Sequence, residues 1–151
     1  MKEYCYQNLK ITSERGIFHG VGARILVMEG RISNENSHLF SSDMEREWCD
    51  GVFNAIADMN GLECINSGGL ASILFMIEKC SENGGSFLIA GRNPYIQKIV
   101  ELTGVNEQVR FFSSFAEAGN FFRSGSDMEI RSGLKRSTSV FSLSAMQALL
   151  F

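Results

Sequence analysis

Branched apolar residues cluster in short runs along this chain, and turn residues bound each run. "ARILVMEGRI" (residues 23–32) is the clearest run, ending at a charged boundary as strands do. "GVFNAIADM" (51–59) and "SFLIAG" (86–91) predict two more strands, entered through the turns Asp50-Gly51 and Gly84-Gly85. Their near-continuous apolarity suits a sheet covered on both faces or paired in parallel. "YCYQNLKIT" (4–12) alternates more cleanly and predicts an edge strand, and "VRFF" (109–112) predicts one further short strand.

Helical spacing fills the intervals. Ser42-Asp43-Met44-Glu45 forms a capping box, with a start one turn earlier left open, and Phe40, Met44 and Trp48 recur four apart on one face. Leu70, Ile73, Leu74 and Ile77 make the stripe of a helix that follows Ser67. Asn93-Pro94 reads as an N-cap with proline at the first helical position; Ile96, Ile99, Val100 and Leu102 form the inner face, and Gly104 ends the helix. Ser114-Phe115-Ala116-Glu117 is a second capping box, opening a helix through Ala118, Phe121 and Phe122. Strands alternating with helices predict an α/β domain over residues 1–123 with a largely parallel centre. Residues 124–151 read as a polar Ser/Gly linker followed by the apolar "VFSLSAMQALLF". There Val140, Leu143, Met146 and Leu150 would line one side of a short helix. Two readings stay open for it: packing on its own domain, or docking, including a homodimer formed through this segment.

Composition narrows the function classes. A chain of 151 residues with 44% apolar content fits one domain with a real core. A net charge of −3 without a dense basic cluster argues against nucleic acid as partner. The N-terminal stretch lacks the apolar centre of a signal peptide, and no apolar run reaches the ~18 residues of a membrane span. Cys5, Cys49, Cys64 and Cys80 are scattered without a C-x-x-C pair, which argues against a zinc site or a disulfide framework. They read as buried free thiols in a reducing cytoplasm.

In a parallel α/β arrangement the loops leaving the carboxyl ends of the strands gather at one end of the sheet. Those loops are residues 33–37, 60–67 and 91–93, and Ser67 stands among them at a helix start. Gly68 and Gly69 leave its hydroxyl uncrowded for an approaching protein. Serine is also a preferred N-cap, and local spacing alone favours that plainer role. A nucleophilic serine finds no support: Ile65 occupies the place of the first glycine in a G-x-S-x-G elbow, and nothing brings His19 or His38 beside Ser67. A strand end and a turn account for Asp58 and Glu63. The glycines fit neither a phosphate loop nor a dinucleotide fingerprint, so no catalysis, metal or cofactor is indicated.

"DMNGLECINSGGLASI" (58–73) resembles the signature of the STAS domain, in which a serine at this place is the phosphorylation site. Asp58, Gly61, Leu62, Ile65, Ser67, Gly69 and Leu70 match in register. "GGSFLIAGRNPYIQKIVELTGV", "VRFFSSFAEA" and "ILVMEGRIS" are similar to further family segments, so the resemblance spans residues 4–122. It implies a SpoIIAA-like fold, a mixed sheet of four to five strands flanked by about four helices. It also implies a non-enzymatic anti-sigma factor antagonist working by partner switching. The partners would be a GHKL-type serine kinase acting as anti-sigma factor and a PP2C-type phosphatase, with Ser67 as phosphoacceptor. Ser33, Asn34, Asn66, Gly68, Gly69 and Asn93 would join Ser67 in the partner-binding surface. Asn66 replaces the common aspartate, Gly68 a serine or threonine, and Ser33 an aspartate found in many members. A constitutive STAS scaffold and a nucleotide-sensing module are the competing readings.

Overall fold

In the computed structural model, which describes residues 1–104 and 109–123, six strands form one sheet in the order in which they occur along the chain. Strands β1 (Lys2–Tyr6), β2 (Leu9–Phe18) and β3 (Val21–Ile32) make an antiparallel meander. From β3 onward the pairing is parallel, through β4 (Ala55–Ile65), β5 (Phe87–Ala90) and β6 (Val109–Phe112). Helices α1 (Ser37–Glu47), α2 (Ser67–Glu82) and α3 (Pro94–Thr103) lie between successive parallel strands, and α4 (Phe115–Asn120) follows β6. Short 3₁₀ turns continue α1 (Trp48–Asp50) and α4 (Phe121–Arg123). This is the predicted α/β class with a parallel centre.

Six strands replace the expected four to five. The run predicted as a single edge strand is two arms of a hairpin, with Tyr4 opposite Ile11 and Tyr6 opposite Leu9. Asn8 turns the corner at φ 64°, a left-handed conformation that asparagine tolerates. Alternation carries on across so tight a turn, which hides the reversal. The strand expected to end at Met59 runs on to Ile65, so residues 60–65 are strand rather than loop. Its register against β3 shifts between Val27 and Glu29 and again between Gly30 and Arg31, the mark of a bulged ladder. Asn60-Gly61 breaks the apolar pattern there without breaking the strand.

Helices α1, α2 and α3 cover one face of the sheet. Phe40, Met44, Leu70, Leu74, Ile77, Ile96 and Val100 pack there against Leu26, Met28, Ala57, Met59 and Ile89. Ala118, Phe121 and Phe122 cover part of the other face over Ala23, Ile56, Leu88 and Ala90. α1 starts at Ser37, a turn before the Ser42 capping box, which therefore sits inside the helix. α3 has the predicted ends: Asn93 accepts the Tyr95 amide at 3.1 Å, and Gly104 closes the helix at φ 74°. Leu102, expected on its inner face, is 61% exposed, because the buried stripe runs Ile96, Val100, Thr103. Of the cysteines only Cys80 is buried; Cys64 is half-buried, Cys5 and Cys49 are exposed, and none is joined in a disulfide.

A buried ionic cluster, with no signature in the sequence pattern, ties the meander to the end of α1. Arg24, 3% exposed, donates to Glu47 Oε1 at 2.7 Å, the Glu47 carbonyl at 2.8 Å and Asp50 Oδ2 at 2.5 Å. Ser13 and Tyr4 donate to the same Glu47 carboxylate, Ser13 at 2.6 Å. The Arg24 guanidinium also lies over the Trp48 ring at 4.8 Å. Breaking such a pair by removing one partner strands a buried charge, which costs about 3–5 kcal/mol.

Candidate partner-binding site around Ser67

Three loops meet at the carboxyl ends of β3, β4 and β5, and direct hydrogen bonds stitch them together. Asn66, between β4 and α2, donates from Nδ2 to Asn34 Oδ1 at 3.0 Å and to Ser37 Oγ at 3.2 Å. Its own amide donates to the Ile32 carbonyl at 2.8 Å. The start of α2 is thereby fixed to the β3–α1 loop. On the other side, the Tyr95 hydroxyl of α3 accepts the Ile65 amide at 3.1 Å.

The cap of α2 is Asn66 and not Ser67. Asn66 has extended backbone (φ −81°, ψ 177°), and its Oδ1 accepts the Gly69 amide at 2.8 Å. A cap reaches the amide two or three residues on. For Ser67 the third would be that of Leu70, already bonded to the Asn66 carbonyl at 2.9 Å. Ser67 is therefore the first residue inside α2. It is exposed, and among the described residues its hydroxyl makes no hydrogen bond.

The two glycines after Ser67 also serve packing. A Cβ on Gly69 would stand 2.4 Å from Ile32 Cγ2, closer than atoms can pack, so α2 rests its first turn directly on β3. A Cβ on Gly68 would meet Ser37 Oγ at 3.3 Å, under the start of α1. The α1–α2 contact continues in the bond between Ser41 Oγ and Ser72 Oγ at 2.5 Å.

Asn93 is half-buried and faces inward. Its Nδ2 donates to the carbonyls of Met59 at 2.9 Å and Leu62 at 3.0 Å, holding the irregular stretch of β4 from the side of α3. Its side-chain amide therefore ties the start of α3 to the backbone of β4. Ser33 donates its hydroxyl to Glu35 Oε2 at 2.5 Å, and that bond holds the Glu35 carboxyl below its ordinary pKa. The Ser33 amide donates to Asn36 Oδ1 at 3.0 Å; buried Asn36 in turn donates to the carbonyls of Gln7 and Arg31. Asn34 and Glu35 are the exposed side chains of this loop next to Ser67's neighbours. Tyr95 and Asn36 escaped the sequence reading. Asn36 stood in a loop already suspected, while an aromatic one place after Pro94 carries no signal of its own.

The histidines are apart from this arrangement in their bonding: His19 lies in the β2–β3 turn against Asn120 Oδ1 at 3.2 Å, and His38 is exposed on α1. Among the described residues no group of three His, Cys, Asp or Glu side chains is placed to hold a metal ion. No helix among them is long and apolar enough to cross a membrane.

The STAS domain family model matches residues 16–118, and the chain belongs to that family. It is 26% identical over 95 residues to a Thermotoga maritima protein named "Putative anti-sigma factor antagonist", covering 62% of this chain and 84% of that protein. Its fold is similar to that of an anti-sigma factor antagonist from Mycobacterium paratuberculosis: TM-score 0.59, 19% identity, 76% of this chain and 95% of the other covered. It is equally similar to SpoIIAA in unphosphorylated form, with TM-score 0.59, 13% identity, and 76% and 98% covered.

Proposed function

We propose that this protein is a cytoplasmic anti-sigma factor antagonist that switches partners through phosphorylation of Ser67. With Ser67 unmodified it binds a GHKL-type serine kinase that doubles as anti-sigma factor; phosphorylation ends the complex, and a PP2C-type phosphatase restores it. The observation that carries this reading is the exposed hydroxyl of Ser67 at the first position of α2, unbonded among the described residues because Asn66 performs the capping.

The physical chemistry suits a switch. A phosphate adds about −1.5 to −2 charges and three strong acceptor oxygens. At the start of α2 the chain itself tolerates that charge, because Gly69 and Leu70 amides are taken by Asn66 while those of Ser67 and Gly68 lack an intrahelical acceptor. The helix dipole adds to the same preference. Trapped against a partner surface, the dianion would be desolvated without a counter-charge, and each ~1.4 kcal/mol of that penalty lowers affinity about tenfold. Ser33 removes the aspartate expected in many relatives, yet it holds the Glu35 carboxylate in the same loop, where a partner would meet a negative charge.

The test is direct. Incubating the protein with its cognate kinase and ATP should add one phosphate to the intact mass, mapped by fragmentation to Ser67 and absent from Ser67→Ala. A kinase that binds the protein tightly and leaves Ser67 unmodified would make the domain a constitutive scaffold instead.

A further inference from the structure

The two faces of the sheet are covered unequally. Three helices lie on one face; on the other, among the described residues, only α4 and the Phe121–Arg123 turn pack, over Ala23, Ile56, Leu88 and Ala90. Among the described residues, the same face continues without cover across β2 and β3. The register puts Thr12 beside Val27, Glu14 beside Ile25, and Ile25 beside the covered Ile56, so the open strip directly adjoins the small core under α4. Thr12, Ile25 and Val27 are each only half-buried. β3 and β4 are a parallel pair, and Ile56 of β4, beside Ile25, is fully buried on this face.

We propose that residues 140–151 of the same chain cover this strip. Residue 123, the last before residues 124–151, belongs to the turn whose Phe121 and Phe122 pack on this face. The polar residues 124–139 span at most about 53–58 Å, whereas strands are only ~4.8 Å apart, so β2 lies well within reach. As a helix, residues 140–151 would measure about 18 Å, close to the ~17 Å of a five-residue stretch of strand such as residues 12–16. Val140, Leu143, Met146 and Leu150 would then supply the apolar side toward Ile25 and Val27.

Charge agrees with this placement. Residues 131–151 carry Arg131, Lys135 and Arg136 and no acidic side chain. The strip is flanked on its own face by Glu14, Glu29 and Asp58; Lys10, also on that face, is engaged by Glu3 at 2.9 Å. An intrachain occupant also benefits from a high effective concentration that a second copy lacks.

Photocrosslinking of the full chain tests the proposal. Glu14→p-benzoylphenylalanine places a reactive group at the strip from an exposed position with no side-chain bond among the described residues. Thr12→p-benzoylphenylalanine is the second probe, and Leu39→p-benzoylphenylalanine on α1 the control. Trypsin cleaves after Arg136, so the expected product joins either strip probe to peptide 137–151, while the control gives no such product. In an equal mixture of isotopically light and heavy chains, the joined peptides should be all light or all heavy. Leu143→Asp with Leu150→Asp should cut the yield about tenfold or more, since losing even one buried leucine shifts an equilibrium by that factor. Crosslinks that avoid peptide 137–151 overturn the proposal, as do mixed light–heavy products, which assign the strip to a second copy, or a yield unchanged by the two aspartates.

Discussion

Asn66 Oδ1 accepts the Gly69 amide at 2.8 Å, and this bond decides which of two neighbouring residues caps α2. It frees the Ser67 hydroxyl from any structural duty. Asn66→Ala should therefore lower stability by about 1 kcal/mol, the usual cost of a lost cap, and by more where the links to Asn34 and Ser37 also matter. Ser67→Ala should change it by less than about 0.5 kcal/mol, as surface substitutions do. Urea unfolding midpoints of both variants check this; the reverse order would return the cap to the serine.

Asn93 combines a cap with two inward bonds, and the two roles can be separated. Aspartate caps a helix as well as asparagine does, so Asn93→Asp keeps the bond from the Tyr95 amide. It also turns an oxygen toward the Met59 and Leu62 carbonyls, where an amide donates at present. The expected loss is about 1–3 kcal/mol, the penalty for buried polar groups left unpaired, and comparable to Asn93→Ala. A variant as stable as the native chain would show that the bonds to β4 contribute nothing.

These two asparagines also show what the sequence could reveal. Local patterns disclosed the parallel centre, the strands β5 and β6, and the ends of α3, because periodicity, Asn93-Pro94 and Gly104 each act within a few residues. Ser67 stood out from the loop arrangement and from its resemblance to a family signature. Hidden were relations set by distant partners. Asn66 outcompetes Ser67 because the Leu70 amide is already taken, and Gly69 is dictated by Ile32, thirty-seven residues away. The Gln7-Asn8 turn vanished inside an unbroken alternation, and the Asn60-Gly61 irregularity looked like a strand's end. The Arg24 cluster assembles residues from β1, β2, β3 and α1, which no window along the chain contains.

That cluster predicts how stability depends on pH. Burial pushes the Glu47 carboxyl up, but bonds from Ser13 and Tyr4 and the Arg24 charge outweigh it, leaving the pKa below its ordinary 4.5. Asp50 behaves alike: burial raises it, and bonds from the Val52 amide, Arg24 and Arg15 bring it below 3.8. A lowered folded pKa gives stability that is present above the unfolded value and lost as pH falls through the folded one. Tyr4 and Tyr6 have the opposite sign. Burial pushes both to about 12, with the Glu47 bond adding to Tyr4, so their contribution holds below 10.0 and disappears as pH rises toward 12. Urea midpoints should be level between these ranges and fall on both sides. Glu47→Gln should shrink the acid limb and cost about 3 kcal/mol at neutral pH, because Arg24 stays buried with one carboxylate fewer. Tyr4→Phe should weaken the alkaline limb and, because it removes one of the bonds that lower Glu47, shrink the acid limb as well.

Substitutions at Ser67 should move affinity and stability in different directions. Aspartate at the first position of α2 meets the positive end of the helix dipole, worth about 0.3–1 kcal/mol, so Ser67→Asp should fold at least as stably as the native chain. The same carboxylate at the centre of a partner interface is a charge without a counterpart. Affinity for the cognate kinase should fall about tenfold for each 1.4 kcal/mol of that mismatch, while Ser67→Ala should bind as the unmodified chain does and resist release by ATP. Calorimetric titration of both variants, alongside their unfolding midpoints, separates a switch from a fold defect. A drop in affinity accompanied by a drop in stability would point to misfolding, and equal affinities of the two variants would remove Ser67 from the interface.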